Sequence, residues 1–268
     1  YRAPWNITDP TPKDIVNGVK WELYNIAKDW TQFDDVAAAN PAKLKELQDL
    51  FWVEAQKCQV LPLDASGFTR VLTQRPSITA GRKEFTYTRP VTGILPGNEP
   101  NILNKSYVIT AEITVPAGGG EGMLVTDGGR FGGYGLYLLK GKPILLYNLE
   151  GVARFRWEGA QALTPGKHAI AFDFKFDGPG FGKGGTGVLS VDGKEVARQT
   201  IPHSVPFAFG VDESFDVGSD TGTSVEDKDY QPPFAFNGAL SKVTVKLEPV
   251  QMSPDDRKVV QDKNGKRD

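Results

Sequence analysis

The sequence predicts a mainly β protein: an antiparallel sandwich over residues 65 to 250, with a small α+β element before it (1 to 64) and a polar tail after it (251 to 268). Three observations carry this. Apolar and polar residues alternate in several runs after Phe68, glycine-containing turn signals separate those runs, and only residues 41 to 57 show apolar spacings of three and four. Thirty glycines and 19 prolines among 268 residues, scattered without a period, suit many turns between short strands and exclude collagen.

Taken in order, residues 1 to 19 carry Pro4, Pro10 and Pro12 and read as an extended lead-in. Trp21, Leu23, Tyr24 and Ile26 form an apolar patch, expected as a strand and a turn. Asn40-Pro41 is a helix start: Asn accepts a hydrogen bond from a free amide, and Pro at the first helical position wastes no donor. Leu44, Leu47, Leu50, Phe51 and Ala55 then give a helix to about Lys57 with one apolar stripe, and Pro62 stops it. A lone helix of this length is marginal in water, so it needs a partner surface.

Beyond Phe68, Thr110 to Val115 reads as a strand ended by Pro116 and Gly118 to Gly120. Tyr134 to Leu139 and Ile144 to Leu149 are joined by Lys140-Gly141-Lys142-Pro143, a hairpin signal. Ile170, Phe172, Phe174 and Phe176 share one face of a strand, and Asp173, Lys175 and Asp177 the other. Val188 to Val191 and Lys194 to Ala197 flank Asp192-Gly193, which suits a tight type I′ turn. Val243, Val245 and Leu247 alternate with Thr244, Lys246 and Glu248. From Gln251 the chain is charged and poor in apolar residues, a loosely docked tail.

Composition limits function. With 31 basic and 33 acidic residues the net charge is −2, and no basic stripe is present. Phosphate-backbone binding is therefore not expected. The single cysteine, Cys58, permits no intrachain disulfide. No run of eighteen apolar residues occurs, so no membrane span is expected.

Two stretches resemble known families. Lys20 to Leu63, KWELYNIAKDWTQFDDVAAANPAKLKELQDLFWVEAQKCQVLPL, resembles the closing stretch of a bacterial arylsulfatase, after its catalytic domain. GYGLYLLKGKPILLYN, PGKHAIAFDF, GVLSVDGKEVARQ, FDVGSDTG and FNGALSKVTVKL resemble, in order, the strands of concanavalin-like, laminin-G-like jelly rolls. The first resemblance implies a parent sulfate-ester hydrolase of a bacterial cytoplasm or periplasm, using formylglycine and a divalent metal such as calcium. The missing catalytic domain would then be this chain's partner, and a sulfated glycan or aryl sulfate its neighbourhood. The second implies a fold that serves lectins, hydrolases and spacers alike.

The chemistry of that parent is not legible here. Cys58-Gln59-Val60-Leu61-Pro62 departs from the Cys/Ser-x-Pro-Ser-Arg pattern, and Cys58 reads as a small apolar residue at a helix end. Arg75-Pro76-Ser77 has the order reversed. His168 and His203 lack zinc spacing and an accompanying nucleophile elbow, and read as structural. The acid strings Asp212-Glu213 with Asp216, and Glu226-Asp227 with Asp229, do not match a jelly-roll glycosidase's paired acids. No cofactor is expected in this chain, which alone is expected to hydrolyse nothing.

Two glycine-rich segments remain. Asp127 to Gly133 precedes a strand and is no dinucleotide fingerprint. Phe181 to Thr186 lacks Ser or Thr after its Gly-Lys and is no P-loop. Both read as flexible loops between strands. As a contact surface, Arg130, Phe131, Phe181 and Lys183 would combine cationic and aromatic groups suited to an anionic or sugar-like partner. Asp216 and Asp220, with Thr221, could hold calcium through oxygen ligands. The resulting expectation is a non-catalytic region that completes the parent's catalytic domain, with an exposed apolar face on the 41–57 helix. The alternatives are a carbohydrate-binding module for sulfated glycans and an oligomerisation domain.

Overall fold

The chain divides into two compact units, residues 1–73 and 74–268. The computed structural model describes residues 20–61, 63, 77–210, 213–255 and 257–258. The proline-rich lead-in, Pro62, Arg75-Pro76 and Asp212 lie outside them.

In the first unit, α1 spans Pro41–Lys57, as the apolar spacing predicts. Asn40 does not cap it through its side chain. Its Nδ2 turns back to donate to the Val36 carbonyl at 3.0 Å, and its own carbonyl accepts from the Leu44 amide. Trp21 to Ile26 form no strand either. Among the described residues, Val36 N donates to the Leu23 carbonyl. The Asp35 carboxylate supplies further partners: its Oδ1 accepts from Leu23 N and Ala37 N, each at 3.0 Å, and its Oδ2 pairs with Lys20 Nζ. The Leu23 amide first, then Lys20 and Ala37, holds this carboxyl at about 2. A side chain thus does what a neighbouring strand was expected to do.

The helix covers Leu44, Phe51 and Ala55, with Trp21 edge-on to Phe51 at 5.6 Å. Leu47 and Leu50 are exposed, along with Val53. Successive steps of three residues rotate about 60° away from the covered line, so the predicted single stripe splits.

The second unit is an antiparallel β-sandwich of two six-stranded sheets. One sheet has the order β1 (Glu84–Tyr87), β12 (Ala239–Leu247), β3 (Tyr107–Val115), β8 (Gly166–Phe176), β9 (Lys183–Val191), β10 (Lys194–His203). The other has β2 (Val91–Ile94), β11 (Phe215–Val217), β4 (Gly122–Gly129), β5 (Gly132–Leu139), β6 (Lys142–Leu149), β7 (Ala153–Glu158). Hairpins β5–β6 and β9–β10 turn at Lys140-Gly141 and Asp192-Gly193. All four residues have positive φ, 52°, 79°, 51° and 77°, as a type I′ turn requires. On β8 the burial alternates as the sequence predicts, with Ile170, Phe172, Phe174 and Phe176 inward.

The main core lies between the sheets, where Leu124, Leu136, Leu145 and Trp157 meet Ile109, Phe172, Leu189 and Val243. Trp157 sets its indole edge-on to Phe172 at 5.0 Å and donates to the Gly187 carbonyl at 2.9 Å.

The outer face of the second sheet is also covered. Residues 219–236, between β11 and β12, cross it as a strap. Val225, Tyr230 and Phe234 pack on Met123, Tyr137, Ile144 and Leu146 in a second small core. Three of the strap's acids meet three arginines: Asp227 with Arg130, Glu226 with Arg154, Asp229 with Arg156. The string Glu226-Asp227-Asp229 is therefore a set of fasteners rather than a catalytic array.

Candidate functional site

The sandwich has two unlike ends. Segments 116–121 and 159–165 join the sheets at one of them. At the other lie the β4–β5 turn, the β6–β7 turn, the β8–β9 loop and the segment after β10. The described part of the sandwich exposes seven large apolar side chains. Leu95, Phe131, Val152 and Phe207 sit in or beside these second-end loops, and only Val196 lies on a strand elsewhere. Ile78 and Val250 belong to the same end: Ser77 Oγ donates to the Gly97 carbonyl, and the Gln251 amide to the Asn104 carbonyl.

Phe131 is 72% exposed and Val152 85%, yet their turns are held from beneath. Asn148 is fully buried. Its Nδ2 donates to the carbonyls of Gly129 and Arg130, both at 2.9 Å, and its Oδ1 accepts from Gly151 N at 2.9 Å. One side chain thus ties together the tips of two adjacent hairpins. A second buried asparagine, Asn104, does the same for the neighbouring pair of segments. Its Nδ2 donates to the Pro206 carbonyl at 2.6 Å, and its Oδ1 accepts from Gly182 N at 2.8 Å. Between them, Phe181 packs on Phe207 with ring centres 5.4 Å apart.

The four residues expected to make a contact surface all fall at this end, with different fates. Phe131 projects. Phe181 is half-buried against Phe207. Lys183, at the first position of β9, is exposed. Arg130 is not a free cation: it forms a two-pronged pair with Asp227, Nε to Oδ2 at 2.8 Å and Nη2 to Oδ1 at 3.1 Å.

The glycine-rich segments are not flexible loops. A Cβ on Gly128 would lie 2.2 Å from the Gly132 carbonyl, and one on Gly133 2.3 Å from the Asp127 carbonyl. On β9, a Cβ on Gly184 would lie 2.1 Å from the Ile201 carbonyl. These glycines end and begin strands that approach too closely for any side chain.

Asp216 and Asp220 are both buried. Asp216 Oδ1 accepts from Gly93 N and Ser214 Oγ, each at 2.8 Å, and its Oδ2 from the amide and hydroxyl of Thr221. Asp220 accepts from Gly222 N and the Tyr230 hydroxyl, and burial pushes its carboxyl up to about 6. Both carboxylates anchor the strap. Among the described residues, no three His, Cys, Asp or Glu side chains converge as metal ligands would. Glu213 is engaged by the Thr223 amide and hydroxyl.

Cys58 is exposed at the helix end. His203 is exposed on the edge strand β10. His168 has defined partners on both ring nitrogens, Asp192 Oδ2 at 2.7 Å and the Thr164 carbonyl at 2.8 Å. Both partners are acceptors, so only the imidazolium satisfies them. No helix among the described residues is long and apolar enough to cross a membrane.

Fold and site together define a concanavalin-like antiparallel β-sandwich, a jelly roll whose exposed apolar side chains gather mostly at one end. Solved structures with a similar arrangement include the CBM40 module of the Ruminococcus gnavus IT-sialidase bound to α2,3-sialyllactose. It is 12% identical, with a TM-score of 0.41, over 67% of this chain and 98% of that one. Another structure of the CBM40 module of this sialidase is 15% identical, with a TM-score of 0.36, over 59% and 84%. Domains LG4-5 of the mouse laminin α1 chain are 14% identical, with a TM-score of 0.38, over 69% and 42%. At such identities the likeness does not extend to what those proteins bind. No family model matches the chain, and no curated protein matches it. Nothing in these comparisons links residues 20 to 63 to an arylsulfatase.

Proposed function

We propose that the sandwich is a non-catalytic carbohydrate-binding module whose site is the loop end around Phe131. The observation that carries this is the gathering of exposed apolar side chains at one end of the unit, on turns fixed by Asn148 and Asn104. Exposed apolar groups on a rigid frame mark a recognition surface. Aromatic rings presented this way accept the apolar faces of sugar rings at low ordering cost. Lys183, exposed beside the Phe181–Phe207 pair, suits a sulfate or carboxylate substituent on the glycan. Binding of neutral and sulfated oligosaccharides to the full chain, measured by affinity electrophoresis and calorimetry, tests the reading. Phe131→Ala should weaken binding at least tenfold, and Lys183→Ala should weaken sulfated ligands selectively. Absence of any glycan binding, or binding untouched by Phe131→Ala, refutes it.

A second reading belongs to the first unit. Trp30, Phe33, Leu47, Leu50 and Val53 are exposed there, as a segment that completes another domain would leave them. Parentage in an arylsulfatase rests on the wording of residues 20 to 63, and with it the formylglycine and calcium of the parent. Reading the gene upstream of Tyr1 tests it: a Cys/Ser-x-Pro-Ser-Arg motif supports the parentage, and its absence removes it.

A further inference from the structure

The loop end is also held from a second side, by the strap. Gly129 and Gly132 are Cα partners, so Arg130 and Phe131 are the two central residues of the β4–β5 turn. Asn148 takes the carbonyls of Gly129 and Arg130. The Arg130 amide goes the other way and donates to the Thr223 hydroxyl at 2.9 Å. That hydroxyl donates in turn to Glu213 Oε1 at 2.6 Å, and Glu213 Oε2 accepts from the Thr223 amide at 3.2 Å. A relay thus runs from Glu213, just before β11, through Thr223 on the strap, to the turn that presents Phe131.

The backbone is shaped around this relay. A Cβ on Gly129 would lie 2.4 Å from Thr223 Oγ1 and 2.9 Å from Glu213 Oε1, and one on Gly222 would lie 1.8 Å from Glu213 Oε2. Glycine at both positions lets the carboxylate and the hydroxyl come up to the turn. A hydroxyl has one proton to give and can also accept. Glu213 takes the proton, which fixes the rotor and leaves a lone pair for the Arg130 amide. Donation to a carboxylate also polarises the hydroxyl and strengthens the bond that it accepts.

The strap does not need the relay to stay in place. Asp220 and Phe234 exchange backbone hydrogen bonds in both directions, and Val225, Tyr230 and Phe234 pack on the sheet, all without Glu213. Nor does the Arg130–Asp227 pair replace it. Those side chains are 48% and 40% exposed, and an ion pair so open to water adds little.

We propose that Glu213, acting through the Thr223 hydroxyl, is a positioning residue for the glycan site: it sets the β4–β5 turn, and with it Phe131, without touching the sugar. This rests on the reading of Phe131 as a sugar contact. The strap that covers the outer face of the second sheet is then also a brace for the recognition surface.

The test uses three variants of the full chain. Thr223→Val keeps the shape and removes the hydroxyl, Thr223→Ser keeps the hydroxyl, and Glu213→Ala removes its acceptor. Hydrogen exchange of the Arg130 amide is followed by NMR without sugar. Affinity for the same neutral and sulfated oligosaccharides is measured by calorimetry. One net hydrogen bond corresponds to about a fivefold change. Thr223→Val and Glu213→Ala should each speed exchange and weaken binding by about that factor, and Thr223→Ser should behave like the unaltered chain. Unchanged exchange in Thr223→Val overturns the proposal. So does unchanged affinity in that variant where Phe131→Ala weakens binding. A lowered urea midpoint with affinity intact also overturns it, because the relay would then serve stability alone. Should Glu213→Ala fail to fold, the two Thr223 variants decide. No glycan binding by the unaltered chain removes the sugar-binding reading and this proposal with it, whereas the other failures remove only the relay.

Discussion

Replacing Asn148 by Ala removes a clamp whose three hydrogen bonds, all at 2.9 Å, serve the backbone of two hairpin tips. Each bond contributes about 1 kcal/mol net, and a group left buried without a partner costs about 1–3 kcal/mol. The tips are close to water, so the Gly129, Arg130 and Gly151 groups can partly resolvate, and the lower figure applies to each. The sum is a loss of about 3 kcal/mol. For a unit of this size that is a fall in Tm of roughly 6–12 °C. Urea unfolding followed by tryptophan fluorescence measures it, with the midpoint lowered and the slope unchanged. The tips that carry Phe131 and Val152 should also lose their fixed spacing. Glycan affinity should then fall in protein that is still folded at the assay temperature. A loss below about 1 kcal/mol with unchanged affinity would refute the view that Asn148 organises the site.

Two further outcomes follow from local geometry. Burial lowers the His168 pKa, but the bonds to Asp192 and to the Thr164 carbonyl more than offset this and raise it overall. Its contribution to stability should be complete below the unfolded value of about 6.5 and be lost as pH rises through the folded one; His168→Gln should flatten that slope in unfolding curves taken across the range. Gly187→Ala would set a Cβ 2.6 Å from the Phe172 ring and 2.7 Å from the Trp157 ring; an overpacking loss of about 1–3 kcal/mol is expected by urea titration, and a neutral result would mean the core relaxes freely there.

Parts of the fold were legible because local chemistry decides them. Helix α1 follows from its apolar spacing and Pro41. The type I′ turn at Asp192-Gly193 follows from a pair that accepts positive φ readily, and the β5–β6 hairpin follows from the turn signal over Lys140 to Pro143. Strand β8 alternates because its outer face meets water. Strand β4 was not legible, because Met123, Leu124 and Val125 are all buried. The strap covers the outer face of that sheet, so the two-residue period that marks a half-buried strand disappears. Strand β7, with Arg154 and Arg156 under the same strap, was missed for a related reason: its polar residues face the strap acids rather than solvent.

At the loop end, the sequence drew attention to Arg130, Phe131, Phe181 and Lys183 through composition alone. It could not separate the exposed Phe131 from Arg130, which Asp227 engages from 97 positions away. Nor did it single out Asn148 and Asn104. An asparagine that clamps two loops reads in sequence like any polar residue, since its partners are set by which strands become neighbours.

By itself, then, the sequence determined the β class, the helix, the tight turns and the absence of a recognisable catalytic motif, because these depend on residues within a few positions of one another. Tertiary structure alone decided that the glycines are close contacts rather than hinges, that Glu226, Asp227 and Asp229 fasten a strap, and that the exposed apolar side chains gather at one end. Those facts depend on the order of strands in the two sheets, which brings together residues that the chain keeps far apart.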